Sequence, residues 1–341
     1  MTERSQDVVE FRAPPGVVGR TSEGERQIPQ IRARFVDLGE AADVDHSGRR
    51  TMMTVNVEHG EDLALERPGP RLVILGDVPS LGLRFVGHST VRVELAGHAV
   101  LTDPVLTNRV SALTRVTPPS TAADRADVDL VLLSHLHGDH VHLPSLRLLD
   151  PHVRVVVPRG AGDWLRSKGV RRVDELAPGE ELTHGDLRIT GIRAEHSGHR
   201  WGPRSTRGPQ AAAMGHVIEG DGRKVYAAGD TDLFPEMAAL TGLDVALLPV
   251  WGWGPTLGPG HLNPRRAATA VDLLKPRVAV PVHWGTLALA GLPKAPGRHG
   301  KRMRHLLQHP PLEFAEAVAE QGLSTNVLVT TPGEDVRLSE K

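Results

Sequence analysis

The run Ser134-His135-Leu136-His137-Gly138-Asp139-His140 decides how this chain is read. It follows the apolar stretch Val128-Asp129-Leu130-Val131-Leu132-Leu133 directly. That order predicts a buried strand ending in a cluster of nitrogen and oxygen donors, which is a rigid cradle for metal. In an extended backbone, alternate residues share a side, so His135 and His137 point the same way. Asp139 and His140 follow where the chain turns, able to face a second ion beside the first. Neutral imidazole and carboxylate suit Zn²⁺, Fe or Mn²⁺, and the spacing points to two ions. A histidine-rich surface loop is the plain alternative. The partners found downstream decide against it.

Composition sets the limits. The chain has 341 residues, 39% hydrophobic and 24% charged, with a formal net charge of -1. These values describe a globular protein, long enough for one large domain or two modest ones. The near-neutral balance gives no electrostatic footprint for nucleic acid or an anionic membrane. Cysteine is absent, which excludes disulfides, thiolate nucleophiles and thiolate ligands and leaves 18 histidines plus the carboxylates to bind metal. Residues 1–7 show no basic segment leading into an apolar core, and no apolar run of about 18 residues is present to span a bilayer. The expected location is the cytoplasm and the expected partner a small molecule. Oligomeric state has no signature here.

Residues 1–70 are rich in Arg, Glu, Gly and Pro and lack apolar periodicity, so an extended or partly disordered segment is expected. Met52-Met53 offers an internal start, which would make residues 1–51 an upstream extension. From Arg71 onward the texture is that of one hydrolase-sized domain, 71–341. Arg71–Leu75, Leu83–Val86, Val91–Leu95 and Ala99–Leu101 read as consecutive antiparallel strands. Further strands are expected at Asp129–Leu133, Val153–Val157, Leu187–Ala194, Gly215–Ile218, Lys224–Ala228, Val245–Pro249 and Val278–Pro281. Asn263-Pro264 opens a helix over Arg265–Leu274, with Asn as N-cap and Pro at the first position. Pro311–Gln321 reads as a second helix. The order predicts an α/β fold: a four-layer αββα sandwich of two mixed sheets, face to face, with helices outside.

Four more polar residues each follow a strand: Asp103, His196, Asp230 and His283. One ion would take three nitrogens, from His135, His137 and His196. A second would take Asp139, His140 and His283. Asp230 would bridge them with one oxygen to each, about 3.5–4 Å apart. Asp103 would sit behind the ligands, accepting from an imidazole or from loop backbone. Any one of these residues alone is better read as an ordinary loop residue. Their joint occurrence at strand ends is what carries the reading.

With those positions in place, the sequence resembles the metallo-β-lactamase superfamily over about residues 83–330. The resemblance rests on His135-x-His137-x-Asp139-His140, then His196, Asp230 and His283. It sharpens at Phe85-Val86-Gly87-His88-Ser89-Thr90, Leu101-Thr102-Asp103-Pro104 and His283-Trp284-Gly285-Thr286-Leu287-Ala288-Leu289-Ala290. These look like the ascorbate-6-phosphate lactonase-like hydrolases and the phospholipases D that cleave N-acyl-phosphatidylethanolamine. Gly260-His261-Leu262-Asn263-Pro264 resembles the segment that brings an extra histidine to the pocket in that branch. Ser197 stands where the phospholipase group has Trp, which argues against a lipid. The absence of cysteine argues against antibiotic hydrolysis.

His88 and His261 are the expected pocket residues, able to polarise or protonate a leaving oxygen; with Asp139 they form the expected catalytic set. Arg200, Arg204 and Arg207, beside Trp201, form a possible grip on an anionic substrate. Trp251 and Trp253 form a possible pocket wall. The expected function is a binuclear metal-dependent hydrolase, with two divalent ions, zinc first and Mn or Fe as alternatives. A hydroxide held between them would attack an ester, lactone or phosphodiester. Three alternatives stay open: a phosphodiesterase of phospholipase D or nuclease type, a non-catalytic metal- or ligand-binding module, and a mononuclear iron oxygenase.

Overall fold

The computed structural model describes residues 81–201 and 208–338. The expected N-terminal segment, the strand at Arg71–Leu75, the internal start, Arg204 and Arg207 lie outside the described residues.

Three β-prone runs form a meander: β1 (Leu81–Gly87), β2 (Thr90–Leu95) and β3 (His98–Thr102), each antiparallel to the last. Ala96 and Gly97 join β2 to β3 with φ of 49° and 73°, the primed turn that matches strand twist. The hairpin of β4 (Arg109–Val110) and β5 (Leu113–Arg115) then leaves the sheet. Apolar β6 (Leu130–Leu132) returns parallel to β3, buried at every residue. After α1 (Leu143–Leu146) comes β7 (Arg154–Pro158), and after α2 (Gly162–Ser167) comes β8 (Val173–Leu176), both parallel additions.

The second sheet starts with another antiparallel meander: β9 (Glu181–His184), β10 (Leu187–Arg193), β11 (Met214–Gly220) and β12 (Arg223–Ala227). The strand β13 (Val245–Pro249) lies parallel to β12, and β14 (Val278–Val282) parallel to β13. Between them runs α3 (Pro264–Leu274), where the Asn263 side chain accepts from the Arg266 amide and Pro264 occupies the first turn. Next, β15 (Leu287–Leu289) joins β5 in a small separate sheet, followed by α4 (Gly297–Gln308) and α5 (Pro310–Glu320). The chain ends by adding β16 (Asn326–Val327) beside β14 and β17 (Asp335–Leu338) beside β1.

The main sheets therefore run β17-β1-β2-β3-β6-β7-β8 and β16-β14-β13-β12-β11-β10-β9. One core packs Leu83, Phe85, Val93 and Leu132 of the first against Ile189, Ile218, Val225 and Val280 of the second. The outer face of the first sheet buries Leu146 and Leu165 from α1 and α2. Ala267 and Val271 of α3 and Phe314 of α5 cover the second. Each sheet is apolar on both faces, which forces the four-layer α/β sandwich that the element order predicts.

Helix α4 was not foreseen. Gly297, Gly300 and its basic residues hide the pattern, yet Met303, Leu306 and Leu307 recur at helical spacing and are buried. The short elements β4, β5, β8, β9, α1 and α2 were also missed, and so were β15, β16 and β17, whose partners are far away in sequence.

Candidate metal centre

Strands β1, β3, β6, β10, β12 and β14 end at the same edge of their sheets, and the loops beyond them carry the polar residues. His88 follows β1, Asp103 follows β3, and residues 134–140 follow β6. His196, Asp230 and His283 follow β10, β12 and β14. Gly229, with φ of 62°, brings Asp230 in. A Cβ there would meet Ser134 Cβ at 2.4 Å, so the residue must be glycine.

His135 Nε2 and His196 Nε2 lie 2.9 and 3.1 Å from His137 Nδ1. His137 Nδ1 can share a proton with only one of them, so at least one pair of nitrogen lone pairs faces inward. A tetrahedral ion with Zn–N bonds of about 2.0–2.1 Å needs donor separations of about 3.3 Å, close to this spacing. Next to this triad, Asp139, His140, His283 and His88 form a second group whose ligand atoms lie within 4.8 Å of one another. Asp230 stands between the groups. Its Oδ2 is 4.0 Å from His135 Nε2, 3.9 Å from His196 Nε2 and 3.3 Å from His140 Nε2. Its Oδ1 is 3.3 Å from His283 Nε2, is buried, and accepts no hydrogen bond.

The far nitrogens are fixed by donors and acceptors behind the ring cluster. His196 Nδ1 donates to the Gly260 carbonyl and His283 Nδ1 to the Trp251 carbonyl, each at 2.7 Å. His140 Nδ1 lies 2.8 Å from Asp103, which also accepts from the Ser134 amide at 2.7 Å and hydroxyl at 2.6 Å. These bonds aim each Nε2 lone pair at the centre.

Electrostatics agree with a site built for cations. Burial and the neighbouring histidines push His135 well down and His137 to about 4. Burial takes His283 to about 3 and lowers His196. These imidazoles are neutral near pH 7, as ligation requires. For Asp139 and Asp230 burial favours the neutral acid, but surrounding imidazoles outweigh it and hold both carboxylates well down. Burial likewise opposes protonation of His140 and His261, and the carboxylates, Asp230 foremost, overcome it and raise both.

All seven expected ligands thus converge. Asp103 lies behind them, and His261 Nε2 is 3.4 Å from Asp230 Oδ2, with a side chain 20% exposed. His88, the other expected pocket residue, is 1% exposed, and its Nε2 lies 3.0 Å from Asp139 Oδ2. Arg200 differs from expectation. Instead of facing a substrate, its Nη1 donates to the carbonyls of Leu136, His137 and Val141 at 2.8, 3.2 and 2.8 Å. Trp164 and Trp201 flank its guanidinium. It pins the loop that carries four of the expected ligands. Trp251 contributes its carbonyl to His283, while Trp253 is part-exposed. Sequence reading missed the supporting roles of Ser134 and Arg200 and the two carbonyl acceptors. Main-chain atoms leave no trace in residue identity.

Residues 98–284 match the family described as the Beta-lactamase superfamily domain. This chain belongs to the metallo-β-lactamase superfamily. A UPF0173 metal-dependent hydrolase from Methanopyrus kandleri is 31% identical over 265 residues, 74% of this chain and 97% of that protein. An N-acyl-phosphatidylethanolamine-hydrolyzing phospholipase D from Caenorhabditis elegans is 29% identical, covering 59% of this chain and 63% of its own length. Among solved structures, a metallo hydrolase from Ignicoccus hospitalis superposes with a TM-score of 0.56 at 28% identity, over 77% of this chain and 100% of its own. This metallo-β-lactamase chain is accordingly a metal-dependent hydrolase by family. Among the described residues, no helix is long and apolar enough to cross a membrane.

Proposed function

We propose that this protein is a binuclear metal-dependent hydrolase acting on an ester, lactone or phosphodiester of a small molecule in the cytoplasm. The observation that supports it best is Asp230, whose two oxygens face imidazoles of both donor groups from a fully buried position. His135, His137 and His196 would hold one ion, and Asp139, His140 and His283 the other, with Asp230 shared. The all-nitrogen-and-oxygen donor set fits zinc, and also Mn or Fe. When bound, such ions supply an activated water and a Lewis acid.

The protein's own groups do the rest. Asp103 and the carbonyls of Gly260 and Trp251 hold the ligand rings in one tautomer and orientation. His88, with Asp139 as its partner, fixes that carboxylate. His261 reaches the centre while keeping an exposed edge, so its Nε2 is placed to give a proton to a departing oxygen.

A phosphodiesterase is the second reading, favoured by the similarity to the nematode phospholipase D. The deciding experiment offers metal-loaded protein a phosphorylated lactone and an activated phosphodiester, with chelator-stripped protein as control. Lactone turnover that vanishes on stripping is expected. Phosphodiester turnover alone would support the second reading, and neither activity would overturn both.

A further inference from the structure

The described residues hold another cluster of metal-binding side chains, at the sheet edge opposite the candidate centre. His98 opens β3 and Asp129 immediately precedes β6, so both lie at the starting ends of strands whose far ends carry Asp103 and residues 134–140. Five residues of extended chain separate His98 from Asp103, about 16 Å. The third member, His184, closes β9 on the edge of the other sheet. The three ligand atoms lie within 4.8 Å of one another.

Each group is seated, yet none satisfies another. The Ala99 amide donates to Asp129 Oδ2 at 2.8 Å, which fixes the carboxylate and leaves it further lone pairs. His98 Nδ1 is 3.7 Å from the same oxygen, too far for a hydrogen bond. Its ring lies over Gly185, where a Cβ would come within 2.2 Å of Nε2, so the turn leaves room for the imidazole. The His98 and His184 rings meet edge to face, with centroids 5.1 Å apart. Burial first, then His98 and Arg154, holds His184 below the usual histidine range.

We infer that His98, Asp129 and His184 form a separate cation site that ties the two sheets together away from the candidate centre. Two imidazoles and one carboxylate select a borderline ion such as Zn²⁺ over Ca²⁺ or Mg²⁺, which want oxygen. Donors about 3.3 Å apart surround a tetrahedral zinc, so side-chain rotations of about an ångström close the site, with water as fourth ligand. Its role is structural. The ion joins residues of two sheets at an edge where Arg154 Nη1 also donates to the Thr183 carbonyl at 2.6 Å.

Zinc alone is the probe. Full-length protein is equilibrated with zinc, freed of loosely held metal and analysed for zinc per chain, beside His98→Ala and His184→Ala. Each variant is expected to hold one zinc fewer than the unaltered protein. Each is also expected to lose the part of the zinc-induced rise in thermal midpoint that this site provides. Asp129→Asn, which keeps the acceptor for Ala99, reports on the site if an alanine variant fails to fold. Equal zinc counts in the unaltered protein and the folded variants would overturn the inference. The readout is a difference between chains that all retain His135 to His283, so it stands whether or not the main centre is binuclear.

Discussion

The His283 amide donates to the His88 carbonyl at 2.7 Å, tying the end of β14 to the end of β1 across the two sheets. Both residues hold the left-handed region, with φ of 61° and 58°, and their rings lie 4.1 Å apart. Asp103, at 35°, makes a third. Side chains other than glycine rarely adopt this conformation, which costs on the order of 1–3 kcal/mol and persists where surrounding structure holds it. Here the strain aims polar groups at one point.

That strain sets an ordering for substitutions. Asn tolerates the left-handed region and a β-branched residue does not. His88→Val is therefore expected to unfold at lower denaturant than His88→Asn, by about 1 kcal/mol or more. Equal midpoints would remove the strain argument.

Asp139 faces His88, His140 and His283 from within the donor cluster. Asp139→Ala is expected to fold, to cut turnover by at least about 10²-fold, and to lower the metal content. A folded variant with unaltered turnover would exclude Asp139 from the machinery.

Arg200 ties down the loop through three carbonyls. Arg200→Met is expected to weaken metal affinity by about 10–100-fold, the usual scale for groups that orient ligands. Arg200→Lys should recover little, because an ammonium lacks the planar fork. A rise in KM for an anionic substrate, with metal affinity unaltered, would instead revive the substrate grip.

Stability should depend on pH through His216, which is buried in β11 and pushed by burial to about 4. A folded-state value below the unfolded one means that folding favours the neutral ring. The contribution is complete above about pH 6.5 and is lost as pH falls through 6.5 towards 4. Its full size is on the order of 3 kcal/mol. In metal-stripped protein, urea unfolding should show His216→Leu losing less stability than the unaltered chain between pH 7 and 4.

The Tyr226 hydroxyl is wholly buried and makes no hydrogen bond. Burying such a group without a partner costs about 1–3 kcal/mol, so Tyr226→Phe should leave the thermal midpoint unchanged or raise it. A clear drop would reveal a partner.

Residue identity and order were enough to predict most strands of the two sheets, though not β8 or β9, and the N-cap of α3; they also singled out the expected metal-ligand residues, which the fold gathers at one edge. These signals are local: an apolar run, a breaker, then a donor at the strand end. What tertiary structure decided was who stands behind the ligands. Arg200 reads as a surface cation beside a tryptophan, but three carbonyls 59 to 64 residues away in sequence turn it inward. His88 reads as a pocket acid, but Asp139 claims its Nε2. The acceptors for His196 and His283 are main-chain oxygens, which every residue carries alike. The expected ligands are chosen by their chemistry and appear in the sequence. Their supports are specified by distance, which exists only once two sheets close on each other.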